Sequence, residues 1–199
     1  MLQRLLLCLI VLGLVACSSV TVKNTWRAPD AKEQHFHRLL VVGVSTRADV
    51  RNAFEDGFAA ALRARGVQAD TSYPLLPEID TQSSDAIRAV AGKGNYDGVI
   101  VTRLVRREDR IDATAPVPGP MPFSMNLYGY YPRVWAGYYE PPSVLTYEVA
   151  VLETTLYGHG NGNAVWAATS EVFDPGDYRK NIDDFAKVVG DALVRDQML

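Results

Sequence analysis

The sequence predicts an α/β fold, with a mixed sheet and helices packed on it, in the order β-α-β-α-β, long loop, β-β-α. Three observations carry that expectation. Apolar runs of strand length alternate with segments whose apolar residues recur at helical spacing, the pattern of βαβ crossovers around a parallel core. Asn161-Gly162, between two β-rich runs near the carboxyl end, is a strong hairpin signal. The chain of 199 residues is 48% hydrophobic and 22% charged. That composition builds one domain with a full core and excludes a disordered, collagen-like or coiled-coil chain. No internal repeat is present.

The elements follow in order. Residues 17–34 are polar, with an isolated Trp26 and an Ala28-Pro29-Asp30 turn signal, and are expected to form a tether ahead of a single domain spanning residues 35–199. Arg38-Leu39-Leu40-Val41-Val42-Gly43-Val44 is a continuous apolar run, as a strand buried on both faces requires. Ser45 or Thr46, with Asp49 three residues beyond Thr46, offers an N-cap for a helix over residues 48–65. That helix sets Val50, Phe54, Phe58, Ala61 and Leu62 on one stripe, and Gly66 ends it. A strand over residues 67–73 is closed by Pro74 and Pro77. Ser84 caps a helix carrying Ile87, Val90 and Ala91 inward, stopped by Gly92 and Gly94, and residues 98–105 form the third strand. Residues 111–143 break the rhythm, holding seven of the eleven prolines and five of the ten tyrosines, and are expected to form a Tyr/Pro-rich loop. Residues 144–157 and 165–173 make the hairpin strands. Asn181 caps a last helix whose stripe is Ile182, Phe185, Ala186, Val189 and Leu193.

Ahead of these lies an address. Arg4 precedes an apolar run of eleven residues, 5–15, shorter than the ~20 residues needed to span a bilayer and suited to a signal h-region. Leu14-Val15-Ala16-Cys17 then resembles the lipobox of bacterial lipoproteins. The resemblance implies cleavage after residue 16, lipidation of Cys17, and anchoring to a membrane by several acyl chains rather than the one chain that holds only marginally. Ser18 in place of the aspartate usual for inner-membrane retention implies the periplasmic face of the outer membrane. Cys8 leaves with the signal, so neither a disulfide framework nor a cysteine metal site is available.

The strand Leu40-Val41-Val42-Gly43-Val44, then Arg51-x-x-Phe54-Glu55, Leu62-x-x-x-Gly66-Val67, Ser72-Tyr73 and Pro77, resemble a family of proteobacterial outer-membrane lipoproteins of unassigned function. Asp97-Gly98 and Trp166 extend the likeness over most of the mature chain. In element order the chain is also distantly similar to the α/β domains of curli-secretion and synthase-activator lipoproteins and to the TolB amino-terminal domain. These resemblances imply fold more than function.

Motifs for catalysis are incomplete. Gly43-Val44-Ser45-Thr46-Arg47 sits at a strand-to-helix turn, but Arg47 replaces the glycine a nucleophile elbow needs, so Ser45 and Thr46 read as caps. His35, His37 and His159 are the only histidines. His35 and His37 share a face of an extended segment, and two ligands, even with Glu33 or His159 nearby, fix no zinc geometry. They read as exposed residues flanking a strand. Gly92, Gly94 and Gly98 lie between a helix and a strand, the reverse of a dinucleotide fingerprint, and no P-loop lysine motif occurs. Twenty basic against 23 acidic residues advertise no nucleic-acid surface. No cofactor or metal site is expected. Arg51 and Glu55, one helical turn apart, read as a modest ion pair worth about 0.3–0.5 kcal/mol if exposed, or else as a partner patch. Residues 103–110, with both signs of charge, read as a solvated strand end rather than an anion site. Tyr128, Tyr130, Tyr131, Trp135, Tyr138 and Tyr139 cluster in the loop, where long segments tend to be functional, and are the candidate partner contacts. The expected function is therefore a non-catalytic, lipid-anchored binding or adaptor module for an envelope protein or glycan. A self-assembling envelope subunit is the alternative, and a small envelope hydrolase is less favoured.

Overall fold

A computed structural model describes residues 19–77, 84–114, 143–160, 162–174, 176 and 178–199. The elements are β1 (Val20–Arg27), a 3-10 turn (Pro29–Glu33), β2 (Arg38–Val44), α1 (Ala48–Arg63), β3 (Gln68–Thr71), α2 (Ser84–Lys93), β4 (Gly98–Thr114), β5 (Ser143–Gly158), β6 (Ala164–Phe173) and α3 (Tyr178–Arg195). One sheet of six strands runs β1-β6-β5-β4-β2-β3. β2 is parallel to β3 and β4, and the remaining pairs are antiparallel. The expected mixed α/β sheet is present, with three α-helices against it.

Helices cover both faces. α1 and α3 lie on the inner face, where Leu39, Val41, Ile100, Leu156 and Trp166 of the sheet meet Phe58, Leu62, Phe185, Val189 and Leu193. Phe54, Phe58 and Phe185 form a ring triplet with centroids 5.6–5.8 Å apart. Gly57 lets the two helices close, since a Cβ there would stand 2.6 Å from Ile182 Cγ2. On the outer face α2 packs Ile87, Val90 and Ala91 against Leu40, Val42, Tyr96 and Val99. The stripe expected for α3 is buried as its spacing requires, and that of α2 faces the sheet with Ala91 buried and Ile87 and Val90 partly so. Gly66, at φ +86°, turns the chain out of α1 as expected.

Several expectations are corrected. Much of the tether placed at residues 17–34 is β1, an edge strand registered on β6 from Val20↔Val172 to Arg27↔Trp166, followed by the 3-10 turn. An edge strand buries one face and pairs on one side, so a polar sequence suffices once Val20 enters the core. β4 does not stop at residue 105. After a bulge between Leu104 and Arg106 it pairs with β5 as far as Thr114↔Ser143, so residues 111–114 and 143 belong to a hairpin arm and not to the loop. The expected caps also differ. Arg47 precedes α1 with no side-chain cap, while Ser45 Oγ accepts the Arg47 N–H at 3.2 Å. α3 begins at Tyr178, three residues before Asn181, which is buried and donates from Nδ2 to the Asp174 carbonyl at 3.1 Å. Gly92 lies inside α2, and Asn95, at φ +52°, makes the exit turn.

Candidate functional site

At the carboxyl end of β2, beside the antiparallel β4–β5–β6 part of the sheet, the amino-terminal halves of α1 and α3 lie above the inner face. Their first turns do not meet, and an open cleft of about 320 Å³ lies between them and the sheet. Its walls are apolar: Val44 of β2, Val50 and Phe54 of α1, Leu104 and Leu152 of the hairpin, and Ile182 and Phe185 of α3. Arg47, Arg107 and Asn181 supply polar groups. Val44 and Leu104 are about half exposed at its rim. Crevices outside the carboxyl ends of parallel strands are the habitual ligand positions of open α/β sheets, and this volume lies in the range of small-ligand or side-chain pockets. Among the described residues, the lining contains no histidine and no carboxylate.

Arg51 and Glu55 prove to be the floor beside this cleft, and the surface reading is overturned. Their side chains are 2% and 0% exposed, with Arg51 Nε donating to Glu55 Oε1 at 2.9 Å. Oε1 also accepts the Gly43 N–H at 3.0 Å and the Ser72 hydroxyl at 2.8 Å, while Oε2 accepts the N–H groups of Ser72 and Tyr73 at 2.6 and 2.9 Å. Arg51 also donates to the Leu76 carbonyl and to Ser72 Oγ. One carboxylate thus fastens the middle of α1 to the ends of β2 and β3. These partners are all protein groups, so the pair is tied into the fold, with Arg51 also reaching the lining of the cleft. Arg51-x-x-Phe54-Glu55 and Ser72-Tyr73 are one structural knot, and the missed signal was their joint occurrence around two strand ends.

The charged stretch 103–110 is strand interior. Arg103 pairs with Glu153 at 3.0 Å, Arg106 with Glu108 at 2.8 Å, and Arg107 with Glu148 at 3.0 Å. On the outer face Arg110 joins Glu108 and Glu171, and Lys23 of β1 closes the row on Glu171 at 2.9 Å. Hydrogen bonds from Arg110 hold Glu171 below the usual carboxylate range, and those from Arg106 and then Arg110 do the same for Glu108. The Arg110 guanidinium is pushed up by Glu171 and Glu108 together. In this alternating row each carboxylate lies between two cations, and the charges are committed to one another.

His35, His37 and His159 are exposed, as expected, and no group of histidine, cysteine and acidic residues among the described residues could hold a metal ion. His159 borders a second concavity, about 590 Å³, at the opposite end of the sheet with Asp30, Asp97 and Asn163. The Asp97 carboxylate there accepts the N–H groups of His37 and Arg38 at 2.7 and 3.0 Å, which fixes the start of β2. Gly98 follows it because a Cβ would meet Phe36 at 2.6 Å. Trp166 is buried, its Nε1 donating to Asp196 at 2.8 Å. Cys17 and the candidate contacts Tyr128, Tyr130, Tyr131, Trp135, Tyr138 and Tyr139 lie outside the described residues.

No protein-family model matches the chain, nor does any curated protein. Among solved structures, a PelC dodecamer from Paraburkholderia phytofirmans is similar at 16% identity and a TM-score of 0.46, over 90% of this chain and 99% of that one. The lipoprotein GNA1162 from Neisseria meningitidis is similar at 10% identity and a TM-score of 0.43, over 80% of this chain and 99% of that one. A PDZ domain protein from Parabacteroides distasonis follows at 10% identity and a TM-score of 0.37, over 88% of this chain and 36% of that one. No helix among the described residues is long and apolar enough to cross a membrane.

Proposed function

We propose that this protein is a lipid-anchored binding or adaptor module of the cell envelope, without catalysis, and that the cleft between α1, α3 and the hairpin receives an apolar segment of an envelope protein. The observation that carries the proposal is the lining itself. Val44, Val50, Phe54, Leu104, Leu152, Ile182 and Phe185 leave an apolar hollow beside the packed core of the inner face. Such a hollow favours burial of a partner side chain at about 25 cal/mol per Å² removed from water. Arg47 and Arg107 are placed to orient polar groups of the partner. The absence of acid–base groups from the described lining supports binding over hydrolysis. Anchoring through Cys17 at the periplasmic face of the outer membrane, and aromatic contacts from Tyr128, Tyr130, Tyr131, Trp135, Tyr138 and Tyr139, are parts of the same proposal and rest on the sequence.

A photo-activatable cross-linker at Leu104 tests it in living cells. An envelope partner is captured there and not from the same group at Gly160, and Val44→Glu at the rim abolishes capture. An identical adduct pattern at both positions, or capture undiminished by Val44→Glu, overturns the cleft as the binding site.

A further inference from the structure

Strand polarity places the amino end of the domain and the hairpin arm on one side of the molecule. β1 is antiparallel to β6, so Ser19 stands beside the carboxyl end of β6, where its carbonyl accepts the Phe173 N–H at 2.8 Å. Phe173 is registered on Val149 of β5, and Val149 on Glu108 of β4. Beyond that row the sheet narrows to two strands. Residues 109–114 and 143–148 continue paired, and six residues per strand at ~3.3 Å each carry the arm about 20 Å past Ser19.

Ser19 itself is pinned. Its hydroxyl donates within reach of Asn181 Oδ1 at 2.8 Å and Asp184 Oδ2 at 3.0 Å on α3. Only Ser18 separates it from Cys17, and two residues of chain span at most ~7 Å. A membrane holding acyl chains on Cys17 is therefore drawn closer to this row than the arm is long. The arm is dressed for contact with it. Ile111, Val144 and Leu145 are 68%, 62% and 64% exposed. By register Ile111 and Val144 lie on one face of the ribbon and Leu145, opposite Asp112, on the other. Apolar side chains on both faces of a two-stranded ribbon are a poor match for a flat protein surface, which covers one face, and a good match for an environment that surrounds the ribbon.

We propose that this arm seats in the headgroup layer of the membrane that holds the anchor, with Ile111, Val144 and Leu145 at the acyl boundary and Asp109 and Arg110, nearer the base of the arm, in the hydrated zone above it. The proposal rests on lipidation at Cys17. Together the two attachments fix the domain's orientation, so that the Asn181 and Ile182 wall of the cleft, next to Ser19, lies on the bilayer side of the domain. Amphipathic surfaces of this kind bind at the interface by buried apolar area and do not span.

The mature lipidated chain has no other thiol than that of Cys17, so Leu145→Cys and Gly160→Cys each give one site for an environment-sensitive fluorophore. Gly160, at the far end of β5, has open space for a side chain. Both proteins are purified in lipidated form and reconstituted in phosphatidylethanolamine–phosphatidylglycerol vesicles carrying nitroxide-labelled lipid. Mass spectrometry of the amino-terminal peptide establishes the acyl chains first. The expected result is a blue-shifted emission at position 145 quenched at least twofold by the nitroxide, with position 160 unchanged. Ile111→Ser combined with Val144→Ser, leaving the anchor in place, reduces that quenching. Equal, weak quenching at both positions in acylated protein overturns the membrane seat while leaving the anchor intact. A blue shift at 145 without nitroxide quenching means that protein covers the arm, and overturns it equally. Absence of acyl mass overturns the anchor reading and the inference with it.

Discussion

Glu55→Gln removes one charge and leaves the side chain's volume nearly unchanged, so its effect measures the buried knot directly. The carboxylate accepts five hydrogen bonds, three of them from the backbone N–H groups of Gly43, Ser72 and Tyr73. The Ser72 N–H has a second acceptor in the Val41 carbonyl at 3.0 Å. A glutamine amide can present its oxygen to one side only. With its NH2 in place of Oε2 it confronts the donors of Ser72 and Tyr73, and in place of Oε1 it confronts those of Gly43 and Arg51. Each buried donor left without an acceptor costs about 1–3 kcal/mol. Arg51, buried at 2% exposure, is left without its counter-charge, and breaking such a pair from one side costs about 3–5 kcal/mol. These overlap rather than add, giving an expected loss of about 3–5 kcal/mol, a large share of the 5–15 kcal/mol typical of a domain. Urea denaturation of the chain from Ser18 to Leu199, followed by circular dichroism, reads it as a lowered midpoint at unchanged slope. Replacing the pair together, Arg51→Met with Glu55→Leu, does not restore stability, because Gly43 and Tyr73 still lose their acceptor. A Glu55→Gln protein within about 1 kcal/mol of the parent would refute the reasoning, as would a fully stable double variant.

Phe58→Ala empties the centre of the aromatic triplet and is expected to cost about 3–5 kcal/mol; an unchanged melting temperature contradicts the burial of that ring. Gly57→Ala forces a methyl into Ile182 and costs about 1–3 kcal/mol, and Ile182→Ala in the same chain recovers part of the loss, a recovery that a purely local helix effect does not give. Glu171, held down chiefly by Arg110, has a folded pKa below its unfolded one, so its contribution is complete above the unfolded value of ~4.3 and fades as pH falls through the folded value. Glu171→Gln should therefore narrow the difference in urea midpoint between pH 6 and pH 3, and an equal difference in both proteins rejects that role. Cys17→Ser should leave the precursor uncut and unlabelled by a metabolic fatty acid, whereas persistent labelling removes the anchor from the account.

The sequence by itself determined the local and periodic features. The apolar run ending at Val44, the helical stripes of α2 and α3, the turn at Gly66 and the hairpin at Gly162 are written in short-range spacing, where each residue's neighbours are its own chain. It did not determine what meets what. Arg51 and Glu55 look like an ordinary exposed i, i+4 pair, because burial depends on Ser72 and Gly43 arriving from two other strands. β1 was illegible for the same reason, since an edge strand takes its hydrogen bonds from β6, more than 130 residues on. The extension of β4 could have been read from Arg106-x-Glu108-x-Arg110, a period of two in charge rather than in hydrophobicity, but its partners Glu171 and Lys23 come only with the fold. The cleft is tertiary entirely. It exists because α1 and α3 are drawn together at Gly57, and the space their first turns leave over the sheet is bounded by six elements that no local pattern connects.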